Sequence, residues 1–245
     1  MRVTRWGRVA WAIASIFVVE SLVFGFAVLP AFLFWTWSLS WGVPAWPLVR
    51  PAIVAMSLVP AYLVFAVALI LLSAGSTRLF GWRTTDGGAW ALAEIDWPLL
   101  DWVRYMISTH VVRVLVGTFV RSSPLWTWYL RLNGARMGRG VYINSLSISD
   151  HNLLDFGDGV VIGENVHLSG HTVERGMVKT GRVRLGAGVT VGLGSMVGIG
   201  VHADDRCQIG ALSVVPKHTR LEAGAVYVGV PVRRIEKDVP PVIEV

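Results

Sequence analysis

Cysteine and charge are the two things that this sequence has little of. Cys207 is the single cysteine among 245 residues, which excludes an intramolecular disulfide and fits a reducing compartment. Charge is nearly absent from the first third: between Val9 and Val49 the only charged residue is Glu20, and residues 51–77 have none. No basic run and no interleaved aromatic platform occurs. The net charge of +6 is therefore better explained by attraction to anionic lipid headgroups than by nucleic-acid binding.

Both apolar runs exceed the roughly 20 residues that a helix needs to cross a bilayer. They predict two transmembrane helices, near residues 9–36 and 51–74. A cleaved signal peptide is an alternative for the first run, but the run is too long and lacks a small-residue cleavage pattern. The connecting loop offers only Arg50, whereas the outer flanks carry Arg2, Arg5, Arg8, Arg78 and Arg83. The positive-inside rule then predicts a multi-pass protein of the cell (inner) membrane, with the N-terminus and the C-terminal domain in the cytoplasm.

Residues 79–134 mix apolar side chains with arginine and many aromatics. The stretch from Trp97 to Phe119 is apolar on more than one face, and Pro124 is suited to begin a further helix. Two interpretations stay open. The segment is either an amphipathic linker lying in the headgroup plane or a soluble helical subdomain that caps the region after it.

A repeat of six residues organises the region that follows. Glycine at this density would cost a helix about 1 kcal/mol per residue, but it suits short strands separated by tight turns. An aliphatic residue every six positions predicts a triangular parallel β-solenoid of about eighteen residues per coil, with the lead residues inside. The lead residues are Phe156, Ile162, Leu168, Leu185, Val191, Val197, Ala203, Ile209 and Val215.

These patterns predict a mainly β fold that follows two transmembrane α-helices and a helical segment. The predicted divisions are 1–78 for the transmembrane pair, 79–134 for the interfacial linker, 135–236 for the β-helix and 237–245 for a tail. The repeat is broken once, by a step of seventeen residues between Leu168 and Leu185 that carries GHTVERGMVKTGR. A break in an otherwise regular scaffold indicates a functional site.

Three motifs within 135–236 carry a family resemblance: ARMGRGVYIN, SGHTVERG, and IGALSVVPK followed by VGVPVRRI. They resemble the hexapeptide-repeat, left-handed β-helix acyltransferases of the galactoside and maltose acetyltransferase type. A second resemblance is to the membrane-bound terminal region of polylysine-synthetase-type nonribosomal peptide synthetases. It includes two further segments, GWRTTDGGAWALAEIDWPLLDWVRY and SDHNLLDFGDGVVIGE. Those enzymes carry such modules in tandem behind adenylation and carrier domains. This sequence shows one such module and neither an adenylation nor a carrier domain, so we expect it to be a stand-alone relative of those enzymes.

The resemblance implies a set of site residues. Acyl transfer needs a base for the acceptor proton, and His171 stands where the acetyltransferases place theirs. Glu174 is close enough in sequence to orient the imidazole, directly or through a turn. Asp150 and His151 fall where the family has acceptor-binding residues, and His167 is expected to line the same cleft.

The donor implied by the resemblance is acetyl-CoA or another acyl thioester, running along the C-terminal coils at a subunit boundary of a homotrimer. The family often has a large residue where this chain has Thr190, which weakens the donor assignment. The predicted donor contacts are the small residues Gly194, Ser195, Ala211 and Ser213, with Lys217, Arg233 and Arg234 for the phosphates.

Two other functions are open. The γ-class carbonic anhydrases share this fold and bind zinc, but the spacing of His167, His171 and His202 does not match theirs, so no metal is expected. The favoured function is a membrane-bound acyltransferase acting on a hydroxyl or amine of a lipid-linked, glycan or amino-acid-derived acceptor. The alternative is a non-catalytic membrane scaffold or partner module for a peptide synthetase or carrier protein. Membrane lipids are expected partners in both cases, and nucleic acid is not.

Overall fold

The computed structural model describes residues 4–40 and 49–235. Arg2 and the predicted tail at 237–245 lie outside the described residues. Two long helices, α1 (Arg5–Leu39) and α2 (Val49–Leu79), pack against each other and contain the two spans predicted from the apolar runs.

A third helical segment covers the apolar stretch that the sequence showed between Trp97 and Phe119 and ends one residue later. It consists of α3 (Trp97–Val112), a π-helical turn (Arg113–Gly117) and α4 (Thr118–Val120). A separate helix, α5 (Pro124–Leu132), begins at the predicted proline. Within the described ranges, three helices are thus long and apolar enough to cross a membrane, judged by length and composition: α1, α2 and the segment Trp97–Val120.

Helix α3 ties the first two helices to the rest of the chain. Its Arg104 is buried and donates through Nε to the Ser15 hydroxyl of α1 at 2.9 Å. Next to its first residue, Asp96 forms an ion pair with Arg8 of α1 at 2.8 Å. On another face, the Tyr105 ring packs edge-on against His151, which lies in the β region. Helix α3 therefore packs against the first two helices and also reaches the β region.

Short strands from residue 136 onward form three parallel sheets, as the hexad repeat predicts. Strands one coil apart pair at a spacing of eighteen residues, for example Val197 with Val215 and Ala203 with Leu221. All nine lead residues are buried, which confirms the predicted coil length and the predicted interior. The last strand is antiparallel to its neighbour.

Each of the three sheets forms one face of the coils, with its strands in the following spatial order. The first holds β3 (Tyr142–Ile143), β5 (Val161–Ile162), β10 (Thr190–Val191), β13 (Gln208–Ile209), β16 (Val226–Val228) and β17 (Arg233–Ile235). The second holds β6 (His167–Leu168), β11 (Met196–Val197) and β14 (Val214–Val215). The third holds β2 (Arg136–Met137), β4 (Leu154–Phe156), β9 (Val183–Leu185), β12 (His202–Ala203) and β15 (Arg220–Leu221).

The break in the repeat forms an antiparallel hairpin of β7 (His171–Glu174) and β8 (Met177–Thr180). Arg175 and Gly176 at its tip both have positive φ, as a two-residue turn of the favoured hairpin type requires. A third strand, β1 (Ala89–Ala91), pairs with β8. It comes from the segment predicted to be a helical linker, so that segment takes part in the structure around the break.

Candidate active site

His171, the first residue of β7, forms a short hydrogen bond with a buried carboxylate. Its Nδ1 lies 2.6 Å from Oδ2 of Asp150. The His171 side chain is 21% exposed and that of Asp150 is 0% exposed, so the imidazole faces out while the carboxylate lies behind it. An ionised carboxylate only accepts hydrogen bonds, so Nδ1 carries the proton and Nε2 is left as the basic nitrogen.

Asp150 is fixed by donors from several parts of the chain. Thr84 Oγ1 donates to Oδ1 at 2.6 Å, and Trp102 Nε1 donates to the same oxygen at 3.2 Å. Ser149 Oγ donates to Oδ2 at 3.0 Å. Burial alone would raise the pKa of Asp150, but the hydrogen bond and charge of His171, together with Thr84 and Ser149, hold that pKa below its ordinary value. The carboxylate is therefore ionised at neutral pH although it is buried.

The backbone around Asp150 is specialised for this contact. Asp150 has a φ of 52°, in the left-handed region that non-glycine residues rarely adopt. Gly170, the residue before His171, lies so close that an added Cβ would be 2.8 Å from the Asp150 Cβ and 3.0 Å from that of Leu153. The glycine of the SGH sequence therefore permits the approach that places the carboxylate beside the imidazole. Strain of this kind, held by surrounding contacts, is frequent at functional sites.

Sequence reasoning missed Thr84 and Trp102. Thr84 follows α2 and is held by Asn152, whose Nδ2 donates to the Thr84 carbonyl at 2.7 Å. Trp102, on α3, also packs edge-on against His171, with ring centroids 4.9 Å apart. Neither residue stands in the hexad repeat. The only sequence signal that includes them is the longer likeness carried by GWRTTDGGAWALAEIDWPLLDWVRY.

His171 opens into a groove of about 300 Å³ between β6, β11, β14 and the hairpin. His167, Met196 and Lys217 line the same groove, so the structure brings together two predicted histidines and one predicted donor contact. Burial lowers the pKa of His167, and the charges of His171 and Arg113 lower it further. His167 is therefore neutral at neutral pH and is able to donate or accept one hydrogen bond in the groove.

Glu174 occupies a different position from the one expected. It forms ion pairs with Lys179 on the neighbouring strand, at 2.8 Å, and with Lys217 on the coil below. Hydrogen bonds from these two lysines lower the pKa of Glu174 to about 2. Asp150, predicted as an acceptor contact, makes the contact with the His171 ring that was expected of Glu174, and Glu174 instead fastens the hairpin to the coils.

His151 also departs from its expected place. It is buried, with the rings of Tyr105, Trp126 and Tyr129 packed edge-on around it. Desolvation outweighs the neighbouring charge of Asp150 and lowers the pKa of His151 to about 4. The side chain is therefore a neutral core residue beneath the site rather than a residue facing an acceptor.

The predicted donor contacts are divided between surface and interior. Gly194 and Ala211 are exposed at turns, whereas Ser195 and Ser213 are fully buried. The Ser195 hydroxyl donates to the Gly210 carbonyl at 2.8 Å, and that of Ser213 accepts from the Gly229 amide at 3.1 Å. Both serine hydroxyls thus join successive coils and are inaccessible from outside.

The two predicted C-terminal arginines lie on β17. Arg234 forms an ion pair with Glu222, and Arg233 is exposed. Elsewhere on the coils, His202 Nε2 lies 3.1 Å from Asp204 Oδ1. No group of three or more His, Cys, Asp or Glu side chains arranged to hold a metal ion occurs in the described part of the chain.

Comparison with known proteins gives partial matches. No family model matches the chain. A delta-poly-L-ornithine synthetase of Acinetobacter baumannii (strain AB307-0294) is 24% identical over 138 residues, which are 55% of this chain and 10% of that protein. A UDP-3-O-acylglucosamine N-acyltransferase of Delftia acidovorans (strain DSM 14801 / SPH-1) is 35% identical over 121 residues, 45% of this chain and 36% of that protein. The chain therefore spans about a tenth and about a third of the length of these curated relatives.

Among solved structures, a maltose O-acetyltransferase from Clostridium difficile 630 has 20% sequence identity and a TM-score of 0.41, over 62% of this chain and 92% of that one. The predicted likeness to acyltransferases, with a further likeness to poly-amino-acid synthetases, is confirmed by the two curated sequence matches.

Proposed function

We propose that this chain is a membrane-bound acyltransferase in which His171 is the general base and Asp150 orients it. The observation that carries the proposal is the 2.6 Å hydrogen bond from His171 Nδ1 to a buried, ionised Asp150 at the wall of an open groove. The match to an N-acyltransferase over 45% of the chain supports the reaction class. The acyl donor is a thioester, with acetyl-CoA as the first candidate.

The chemistry follows from the tautomer. With Nδ1–H donated to Asp150, Nε2 of His171 takes the proton from an acceptor hydroxyl or amine as the acceptor atom bonds to the thioester carbonyl carbon. The tetrahedral intermediate then loses the thiolate, the C–S bond breaks, and the proton passes from Nε2 to the leaving sulfur. Asp150 stabilises the imidazolium that forms in between. His167 and Lys217, which line the same groove, are placed to contact the acceptor and the donor respectively.

The membrane location determines the acceptor class that we propose. Helices α1 and α2 are long and apolar enough to span the bilayer. Thr84, five residues after α2, donates to Asp150, so the site lies next to the end of a proposed transmembrane helix. An acceptor that is lipid-linked or otherwise delivered at the cytoplasmic face is therefore favoured, including a glycan or amino-acid-derived group on a lipid.

We further propose that the coils wind left-handed and that three copies associate. Exposed apolar side chains occur on the hairpin at Val173, in the groove at Met196, and in the turns before β11 and β14 at Leu193 and Leu212. A second copy would cover such a surface, and it would bring the exposed turns at Gly194 and Ala211 toward a donor bound at the boundary.

The test replaces His171 by Ala in the full chain, purified in detergent, and follows release of free thiol from acetyl-CoA in the presence of a membrane lipid extract. We expect the rate to fall by about 10³-fold, within the range known for loss of a general base, while acetyl-CoA binding and oligomeric state persist. His202→Ala is the matched control because that histidine also contacts an aspartate, on a regular coil. Full activity of His171→Ala would refute the assignment. A wild-type protein that neither binds nor cleaves acetyl-CoA or an acyl-carrier thioester would instead favour the scaffold alternative.

A further inference from the structure

A second cavity, of about 500 Å³, lies where α2 ends and the coils begin. Thr77 and Arg78 from the last turn of α2 line it on one side, and Asn133 lines it from the segment that enters the β region. Its volume is in the range of small-molecule sites. It is separate from the groove of His171 and shares no lining residue with it.

The charge lining this cavity is strongly positive. Four arginines face it, and two of them have acidic partners: Arg182 pairs with Asp86 at 3.0 Å, and Arg136 pairs with Asp155, which does not line the cavity, at 3.9 Å. The arginines come from three separate parts of the chain that the fold brings together: Arg78, Arg83, Arg136 and Arg182.

Two of these guanidinium groups are poorly neutralised. Arg78 donates to the carbonyl of Arg131 at 3.4 Å, which leaves its charge uncompensated. Arg83 is exposed and takes part in none of the hydrogen bonds or ion pairs found among the described residues. Like charges gathered at one cavity without acidic partners repel each other, and an anion with several acceptor oxygens relieves that repulsion.

The surroundings match a ligand at the membrane surface. The two residues after Arg78 are Leu79 and Phe80, which are 79% and 52% exposed. Exposed apolar side chains beside arginines, at the end of a helix long enough to span a bilayer, are typical of the level where hydrocarbon meets headgroups. Arginine is also the side chain best suited to bind phosphate oxygens in pairs.

We propose that this arginine-lined cavity binds a phosphate group carried by an anionic ligand, either the headgroup of a membrane phospholipid or a free phosphate. The location beside Leu79 and Phe80 favours the headgroup. Thr84 lines the cavity and also donates to Asp150, so one residue connects the cavity wall to the carboxylate beside His171. The lipid source depends on the membrane attachment proposed above, whereas phosphate binding itself depends on neither that attachment nor acyl transfer.

The experiment measures binding to the detergent-purified full chain by microscale thermophoresis. The probes are dihexanoyl phosphatidic acid below its critical micelle concentration, inorganic phosphate, and dihexanoyl glycerol, which has the same chains without phosphate. The test variant is Arg78→Gln with Arg83→Gln. The control is Arg184→Gln with Arg206→Gln, which removes the same charge from exposed positions that do not line the cavity.

We expect the affinity for phosphatidic acid to fall at least tenfold in the test variant and to stay within about twofold in the control. Tighter binding of phosphatidic acid than of inorganic phosphate identifies a headgroup site, and equal binding identifies a site for free phosphate. The proposal is overturned if neither anion binds, if both double variants weaken binding equally, or if dihexanoyl glycerol binds as tightly as phosphatidic acid. None of these readouts involves thioester cleavage, so their failure is distinguishable from failure of the proposed acyl transfer.

Discussion

The coils carry two histidine–aspartate pairs that are alike in composition and differ in their surroundings. His171 and Asp150 meet at 2.6 Å at the interrupted coil, and His202 and Asp204 meet at 3.1 Å on a regular one. Asp150 is 0% exposed and Asp204 is 30% exposed. Asp204 also accepts from the exposed Arg220, at distances of 3.4 to 3.5 Å.

The difference shows which surroundings let an aspartate hold a histidine ring in one orientation. A solvent-exposed ion pair in high dielectric contributes little and does not fix one geometry. In contrast, the buried Asp150 is held by donors from Thr84, Trp102 and Ser149, so it has one orientation and imposes one tautomer on His171. The regular coil supplies a scaffold, and the interruption with its added elements holds the buried carboxylate of the proposed site.

The largest effect that tests this difference between the two pairs is expected from Asp150→Asn. The amide keeps the shape but presents an NH₂ or a weaker acceptor to Nδ1, so His171 loses the tautomer that leaves Nε2 basic. We expect kcat for thioester transfer to fall by about 10³-fold, within the range that a correctly protonated general base contributes. Steady-state kinetics with acetyl-CoA measure it, and circular dichroism checks the fold.

Two carboxylate variants serve as controls for that measurement. Asp204→Asn removes the partner of the other histidine, and Glu174→Gln removes the carboxylate nearest in sequence to His171 on β7. Both are expected to retain kcat within about twofold, because exposed pairs contribute little. A larger loss in Glu174→Gln than in Asp150→Asn would show that Glu174 orients the base after all.

The sequence predicted the scaffold better than the site, for a physical reason. The six-residue period arises because every lead residue points inward. It therefore predicted the position of the coils and of the break that carries His171. The partner of His171 depends on tertiary contact. Asp150 comes close only because Gly170 has no side chain and because Asp150 adopts positive φ. No period in the sequence records either fact.

The same limit explains the contacts from residues 79–134. Thr84 and Trp102 reach the site because the segment after α2 and helix α3 contact the coils at Asp150. Strand β1 joins the hairpin by backbone hydrogen bonds that any short extended segment can make. The composition of residues 79–134 predicted helices but did not indicate which elements those helices contact. His151 was misplaced because a histidine next to a site residue in sequence faces the core as readily as the cleft.

A smaller effect, on stability rather than rate, distinguishes the buried histidine from the exposed ones. Burial lowers the pKa of His151 to about 4, whereas an unfolded histidine titrates near 6.5. Between these values the unfolded chain binds the extra proton, so stability is full above about pH 6.5 and falls as the pH drops toward 4. The loss amounts to roughly 3 kcal/mol at the lower end, since one pKa unit corresponds to about 1.4 kcal/mol.

Thermal unfolding of the detergent-purified chain between pH 7.5 and 4.5 measures this dependence. His151→Phe fills the same aromatic surroundings without a titrating group, and we expect its apparent Tm to fall less steeply with pH. His218→Gln changes an exposed histidine and is expected to keep the wild-type slope. Equal slopes in wild type and His151→Phe would contradict the buried neutral state. Asp150 does not affect the slope in this pH range. Its pKa in the folded chain is lowered, so its contribution to stability is lost only below the ordinary aspartate pKa near 4.

The smallest effect tests whether the contact from the segment after α2 matters to the proposed acyl transfer. Thr84→Val is nearly isosteric and removes the 2.6 Å hydrogen bond that links the segment after α2 to Asp150. Asp150 keeps His171, Trp102 and Ser149 as partners, so we expect kcat to fall about tenfold, the order expected for one hydrogen bond to a charged group. KM for acetyl-CoA should stay unchanged, because Thr84 does not line the groove.

Thr36→Val, which loses a hydroxyl contact on α1, is the matched control. An unchanged kcat would mean that the interrupted coil holds its carboxylate without help from the helices, whereas a raised KM would point to a binding role for Thr84.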